Sequence, residues 1–186
     1  MKKILFHTRQ AGSASALIPV VNQLKEKGFA VLILCEAESI KLWRSAGLDY
    51  IETSYFIQDV LDDYSPDFIV TGTSLKVEQD AKYWNWAYVN SIPSLAYVES
   101  WVNYKQRFSV LKDFDRLPKI MVVADDLMFK RLQEEGLTKD IVKIIPHPRF
   151  DDLLNEYKKK QTSIKKEPII SVFTNPLDIS GENKIH

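Results

Sequence analysis

The sequence has a single cysteine, Cys35, so no disulfide can close within the chain, and the small disulfide-stapled scaffolds are excluded. Cys35 ends the apolar run Ala30-Val-Leu-Ile-Leu-Cys35, where a small buried hydrophobe is the preferred reading over a nucleophile. Histidine is scarce as well. His7, His147 and His186 show no ligand spacing, which argues against structural zinc. Neither sign of charge is in excess: 25 Lys and Arg balance 25 Asp and Glu, so no whole-molecule field favours nucleic acid or an anionic membrane. No apolar run approaches the roughly 20 residues of a membrane span, and Met1-Lys-Lys-Ile-Leu-Phe meets Arg9, Gln10 and Gly12 too soon for a signal-peptide core. The expectation is a cytoplasmic protein. With only 6 glycines, the chain has neither G-x-G-x-x-G nor G-x-x-x-x-G-K-S/T, which argues against a dinucleotide site or an ATP phosphate loop. The G-x-S-x-G elbow that would support a Ser/His/Asp hydrolase is missing too.

What the chain does have is apolar material in short alternating blocks. At 186 residues with 45% hydrophobic and 11% aromatic residues, it can bury about 70% of its unfolded surface in one core. Runs of branched apolar residues at Lys3–Phe6, Ala30–Cys35, Tyr50–Glu52, Asp67–Thr71, Ser94–Val98, Lys119–Val123 and Val142–Ile145 alternate with stretches of helical period. That alternation predicts an α/β fold, a Rossmann-like doubly wound parallel sheet of six or seven strands. Leu17, Val20, Val21 and Leu24 mark the first helix, closed by Gly28. Val77, Ala81, Trp84 and Tyr88 repeat at helical spacing and read as a core stripe after the fourth strand. A third helix runs from about Asp125 to Glu135 with Gly136 behind it. Right-handed crossovers make 3-2-1-4-5-6 the default strand order.

In such a sheet ligands bind on the loops after the strands. The first, His7 to Ser15, carries small residues into a helix start suited to an anion, and Gly12 and Ser13 are its candidate contacts, though Ser13 serves equally as an N-cap. Glu36 or Glu38 is placed to reach a ribose hydroxyl, but without the glycines a solvated loop carboxylate is the preferred reading. Gly72, Thr73 and Ser74 combine close backbone approach with hydroxyls; an ordinary strand-to-helix turn capped by Ser74 explains them as well. Glu99-Ser-Trp-Val-Asn-Tyr-Lys-Gln-Arg-Phe108 offers Glu99, Asn103 and Arg107 as orienting groups. The alternative is a short helix burying Trp101, Tyr104 and Phe108 with Asn103 and Arg107 left outside. The lysines at Lys158, Lys159, Lys160, Lys165 and Lys166 read as a solvated linker in preference to a nucleic-acid patch.

The order Met1-Lys-Lys-Ile-Leu-Phe-His with its small-residue loop, Pro66-Asp-Phe-Ile-Val-Thr-Gly-Thr-Ser74, and Val142-Lys-Ile-Ile-Pro-His-Pro-Arg-Phe-Asp151 resembles the N-terminal half of GT-B-fold glycosyltransferases and the related UDP-N-acetylglucosamine 2-epimerases. Where that family has a Gly-Asn-Pro type turn, this chain has Pro146-His-Pro148. The resemblance implies an acceptor-side domain over residues 1–160, then a linker and the opening strand of a truncated second domain over 161–186, with the strand at Pro168-Ile-Ile-Ser-Val-Phe-Thr174. It implies a role in surface polysaccharide synthesis and no transfer by this chain alone, because the nucleotide-sugar domain is missing. Its partners would be a sugar or glycan acceptor and a nucleotide-sugar held through that missing domain. No cofactor and no nucleic acid are expected, while peripheral membrane contact and a homodimer stay open. Candidates for the general base of such chemistry are Glu99, Asp125 and His7. The competing expectation is a stand-alone, noncatalytic Rossmann-like module that binds a nucleotide or a partner.

Overall fold

A computed structural model describes residues 1–53, 57–75, 78–108, 117–137 and 139–160. The linker and strand expected over 161–186 lie outside the described residues. Seven strands form one sheet, β1 (Lys3–Thr8), β2 (Ala30–Cys35), β3 (Ile51–Glu52), β4 (Phe68–Thr71), β5 (Ser94–Tyr97), β6 (Ile120–Val123) and β7 (Val142–Ile144). Their order is β3-β2-β1-β4-β5-β6-β7, and every neighbouring pair is parallel. The helices are α1 (Ala11–Glu26), α2 (Ser39–Ser45), α3 (Gln58–Tyr64), α4 (Glu78–Val89), α5 (Tyr104–Phe108), α6 (Asp126–Glu134) and α7 (Arg149–Lys160). The expected Rossmann-like α/β sheet and its strand order are what the chain forms, with β7 added at the far edge.

Parallel strands carry helices on both faces, so both sets of alternating side chains must be apolar. Ile4 and Phe6 of β1 point to the α1 and α2 side, where Leu17, Val21, Ile33 and Trp43 close one cluster. Leu5 points the other way, into Leu34, Leu61, Ile69, Tyr83 and Trp86 under α3 and α4. A third cluster packs Trp84, Tyr104, Phe108, Met121, Met128 and Leu132 toward the β6 side of the sheet. Each such side chain removed from water contributes roughly 1.5–3 kcal/mol. His7 shares the Leu5 face of β1, which fixes where its ring goes.

Several local expectations change in three dimensions. Cys35 is fully buried, and burial pushes its thiol up to about 12, which fits an inert packing residue. Tyr50 falls outside β3, which pairs with β2 only at Ile51 and Glu52. The stripe on α4 is displaced: Ala81 and Trp84 are core, but Tyr88 is 65% exposed, and Tyr83, Trp86 and Ala87 are buried instead. The helix lies between sheet and neighbours on two sides, so one stripe does not describe its core. Val77 lies outside the described residues. Among those described, no helix is long and apolar enough to cross a membrane.

Candidate functional site

The loops at the carboxyl ends of β1, β4 and β5 meet at one point. α1 begins at Ala11 behind Gln10, whose side chain makes no capping bond, and its first turn has no acidic residue, so the positive end of the helix keeps its field. Ser13 is the third residue of α1, not its N-cap, and its buried Oγ has no partner in good hydrogen-bond geometry, though it is near enough to Glu99 to pull that carboxyl's pKa down. A Cβ built on Gly12 would lie 2.8 Å from Glu99 Cγ, and one on Gly72 would lie 2.3 Å from Ser13 Oγ. Both glycines are therefore required by close approach between loops. Gly72→Ala is expected to cost about 1–3 kcal/mol in urea denaturation as Ser13 is forced aside. Adding Ser13→Gly should return most of that loss, and an unchanged midpoint for Gly72→Ala would contradict the contact.

Glu99 and Arg107 occupy the centre of this cluster. Arg107 Nη1 donates to Glu99 Oε1 at 2.8 Å, to the Thr73 carbonyl at 2.7 Å and to Thr73 Oγ1 at 3.2 Å. Thr73 Oγ1 in turn donates to Glu99 Oε2 at 3.2 Å. The two charged side chains are only 5% and 7% exposed. Burial pushes the Glu99 carboxyl above its usual range, against the pull of the Arg107 charge and hydrogen bonds. A short helix does form at 104–108 and buries Tyr104 and Phe108, but Arg107 is buried with them. It turns into the cluster instead of outward, because the Thr73 carbonyl and Glu99 supply acceptors there. Ser74 is buried beside Thr73, and Leu75 after it lies in a turn, not in a helix, so Ser74 does not directly precede a helix.

The other candidates are held elsewhere. Asn103 is exposed, with φ 62 at the entry to α5. Asp125 caps α6: its Oδ1 accepts from the Met128 amide at 2.8 Å and its Oδ2 from Trp101 Nε1 at 2.6 Å, bonds that hold its carboxyl below the usual range. His7 is fully buried. Its Nδ1 lies 2.9 Å from Asp80 Oδ1 and its Nε2 3.2 Å from Glu36 Oε1, and its ring stacks on Tyr83 at 4.3 Å between centroids. Facing two ionised carboxylates, which only accept, each ring nitrogen donates when the ring is an imidazolium. Burial works against that charge, but the hydrogen bonds and charges of Asp80 and Glu36 outweigh it and raise the pKa.

Glu36 is thus no solvated loop carboxylate: it is 4% exposed and also accepts from Arg9 Nη1 at 2.8 Å. Arg9 and Asp80 were not among the sequence candidates. The only signal for Arg9 is its place just after β1; Asp80 lies 73 residues from His7, and no spacing rule links them. Among the described residues no group of His, Cys, Asp and Glu side chains is arranged to hold a metal ion. The turn after β7 is pinned to the same edge, with Arg149 Nη1 donating to Ser15 Oγ at 2.9 Å and His147 set edge-on to Tyr97 at 5.8 Å.

The same fold is found over about half of several longer solved chains. The chain is similar to S. aureus MnaA, solved with UDP, at 15% identity and TM-score 0.60 over 89% of this chain and 49% of that one. A UDP-N-acetylglucosamine 2-epimerase superposes at 13% identity and TM-score 0.58 over 98% of this chain and 55% of that one. Anabaena HepE, solved with UDP, matches at 12% identity and TM-score 0.58, over 79% and 44%. The chain spans about half the length of the solved structures it matches. No protein-family model and no curated protein matches its sequence.

Proposed function

We propose that this chain is the acceptor-side half of a nucleotide-sugar enzyme, a glycosyltransferase or sugar-nucleotide epimerase acting in surface polysaccharide synthesis, and that it has no turnover by itself. The observation that carries the reading is the convergence of Gly12, Ser13, Gly72, Thr73, Glu99 and Arg107 at the carboxyl edge, in a fold whose solved counterparts include proteins held with UDP. In this reading a sugar hydroxyl enters between the first loop and the turn after β4, with Ser13, Thr73 and Ser74 as hydrogen-bonding partners. Glu99 is the general base. A carboxyl whose pKa is raised by burial is a stronger proton acceptor than a solvated one, and Arg107 holds it in place. His7, with both ring nitrogens engaged, and Asp125, whose carboxyl is held below its usual range and is the weaker base, hold the surrounding loops. The departing diphosphate has no partner in this half, because the charge that must be stabilised there develops on the opposite side of the crevice.

Amide spectra of the chain titrated with N-acetylglucosamine and, separately, with UDP test this. The sugar at millimolar concentration is expected to shift Gly12, Gly72 and Glu99, and UDP to leave them in place; a coupled UDP-release or epimerisation assay should show no turnover. Turnover by this chain alone, or UDP binding at those amides in place of sugar, would overturn the proposal. The second of these results would favour the stand-alone nucleotide-binding module.

A further inference from the structure

Among the described residues nothing covers one face of α7, and the pattern on that face is independent of the reading above. Phe150, Leu153, Leu154 and Tyr157 are 51%, 44%, 54% and 56% exposed and line one shallow apolar depression. Their i, i+3, i+4, i+7 spacing gathers them into a stripe about 100° wide, the pattern of a helix-pair seam. The rest of the helix is polar and, Asn155 apart, charged, and its first turn is held against α1 through Arg149 and Ser15. The stripe therefore sits on an anchored element.

The charges beside the stripe indicate what fits it. Asp151 and Asp152 lie in the first turn, and Lys158 and Lys159 stand at the other end. Two such helices laid antiparallel set the acidic end of each against the basic end of the other and oppose their dipoles favourably. A parallel pair would bring the lysines of both copies together. With the two-fold axis between Leu153 and Leu154, Asp151 and the Lys158 of the second copy flank the same side of the seam. They are then offset by only about 3 Å along the axis. Arg149 and the Glu156 of the second copy stand in the same relation on the other side. We propose that the Phe150–Tyr157 face of α7 is the seam of a homodimer of this chain, formed by two α7 helices packed antiparallel. A 12-residue helix offers a patch on the order of 400 Å² per copy, about half of a standard interface, so the dimer is weak and reversible.

Sedimentation velocity of the 186-residue chain across about 1 µM to 1 mM tests this. The expected result is a reversible monomer–dimer equilibrium. Leu153→Glu should weaken it more than tenfold without loss of helical circular dichroism, since that side chain is already half-exposed. Asp151→Lys should weaken it several-fold, and Asp151→Lys with Lys158→Asp should restore it, a rescue that only the antiparallel register gives. A chain that stays monomeric throughout, a dimer indifferent to Leu153→Glu, or a double variant no better than Asp151→Lys would each overturn the proposal. So would a monomer whose α7 amides exchange slowly, and faster with Leu153→Glu, because the face would then be covered from within the chain.

Discussion

Arg107→Met is expected to destabilise the domain by about 3–5 kcal/mol, the range for a buried ion pair stripped of one partner. Methionine keeps the length and packing of the arginine stem, so the loss isolates the guanidinium. Three acceptor contacts disappear at once, to Glu99 Oε1, the Thr73 carbonyl and Thr73 Oγ1, and Glu99 keeps the hydrogen bond from the Thr73 hydroxyl. Its carboxyl, already raised by burial, would rise further and take up a proton. Glu99→Gln in the same chain should recover a large part of the loss, because a neutral amide tolerates burial without a cation. Urea denaturation of the two variants gives the answer. A cost below about 1 kcal/mol for Arg107→Met would mean that the pair behaves as a surface salt bridge.

His7→Phe carries a comparable expected effect and a pH signature. Phenylalanine preserves the stack on Tyr83 but leaves Glu36 and Asp80 facing each other with only Arg9 to compensate Glu36, a loss of about 3–5 kcal/mol. In the native chain the His7 pKa is raised, since Asp80 and Glu36 outweigh the burial that lowers it. A raised folded-state value means the contribution is complete below about 6.5, the unfolded value, and is lost as pH rises through the folded one. Glu36 acts in the opposite sense. Burial opposes its charge, but the His7 and Arg9 interactions lower its pKa, so its contribution is present above about 4.3 and fades as pH falls. Melting temperatures taken from acid to alkaline pH should therefore fall on the alkaline side in the native chain, and fall less in His7→Phe, where the buried tyrosines still titrate. An identical alkaline slope in both would refute the buried imidazolium.

The strand order and most element bounds were legible in the sequence for a simple reason. A parallel sheet covered on both faces demands contiguous apolar runs, and Ala30–Cys35 or Ile120–Val123 cannot satisfy that demand in any other common way. Cys35 could be placed by the same logic. The site was partly legible: Gly72, Thr73 and Glu99 lie on loops that follow strands, Gly12 and Arg107 in the helices those loops lead into, and the topology of the sheet brings these segments together. Tyr88 was misplaced, and so was Arg107 in the helical alternative, because helical spacing gives only the angle of a side chain around its own axis. It does not say how many neighbours surround that axis.

The sequence by itself determined the α/β architecture, the edge at which ligands can bind and the inert role of Cys35, because these follow from local periodicity and from chirality rules that hold for every such sheet. The tertiary structure alone decided which charges meet. His7 lies 73 residues from Asp80 and 29 from Glu36, and Arg107 lies 34 from Thr73. Each of these side chains is stable in the interior only because a partner from a distant segment arrives at hydrogen-bond distance, and that arrival is a property of the folded sheet.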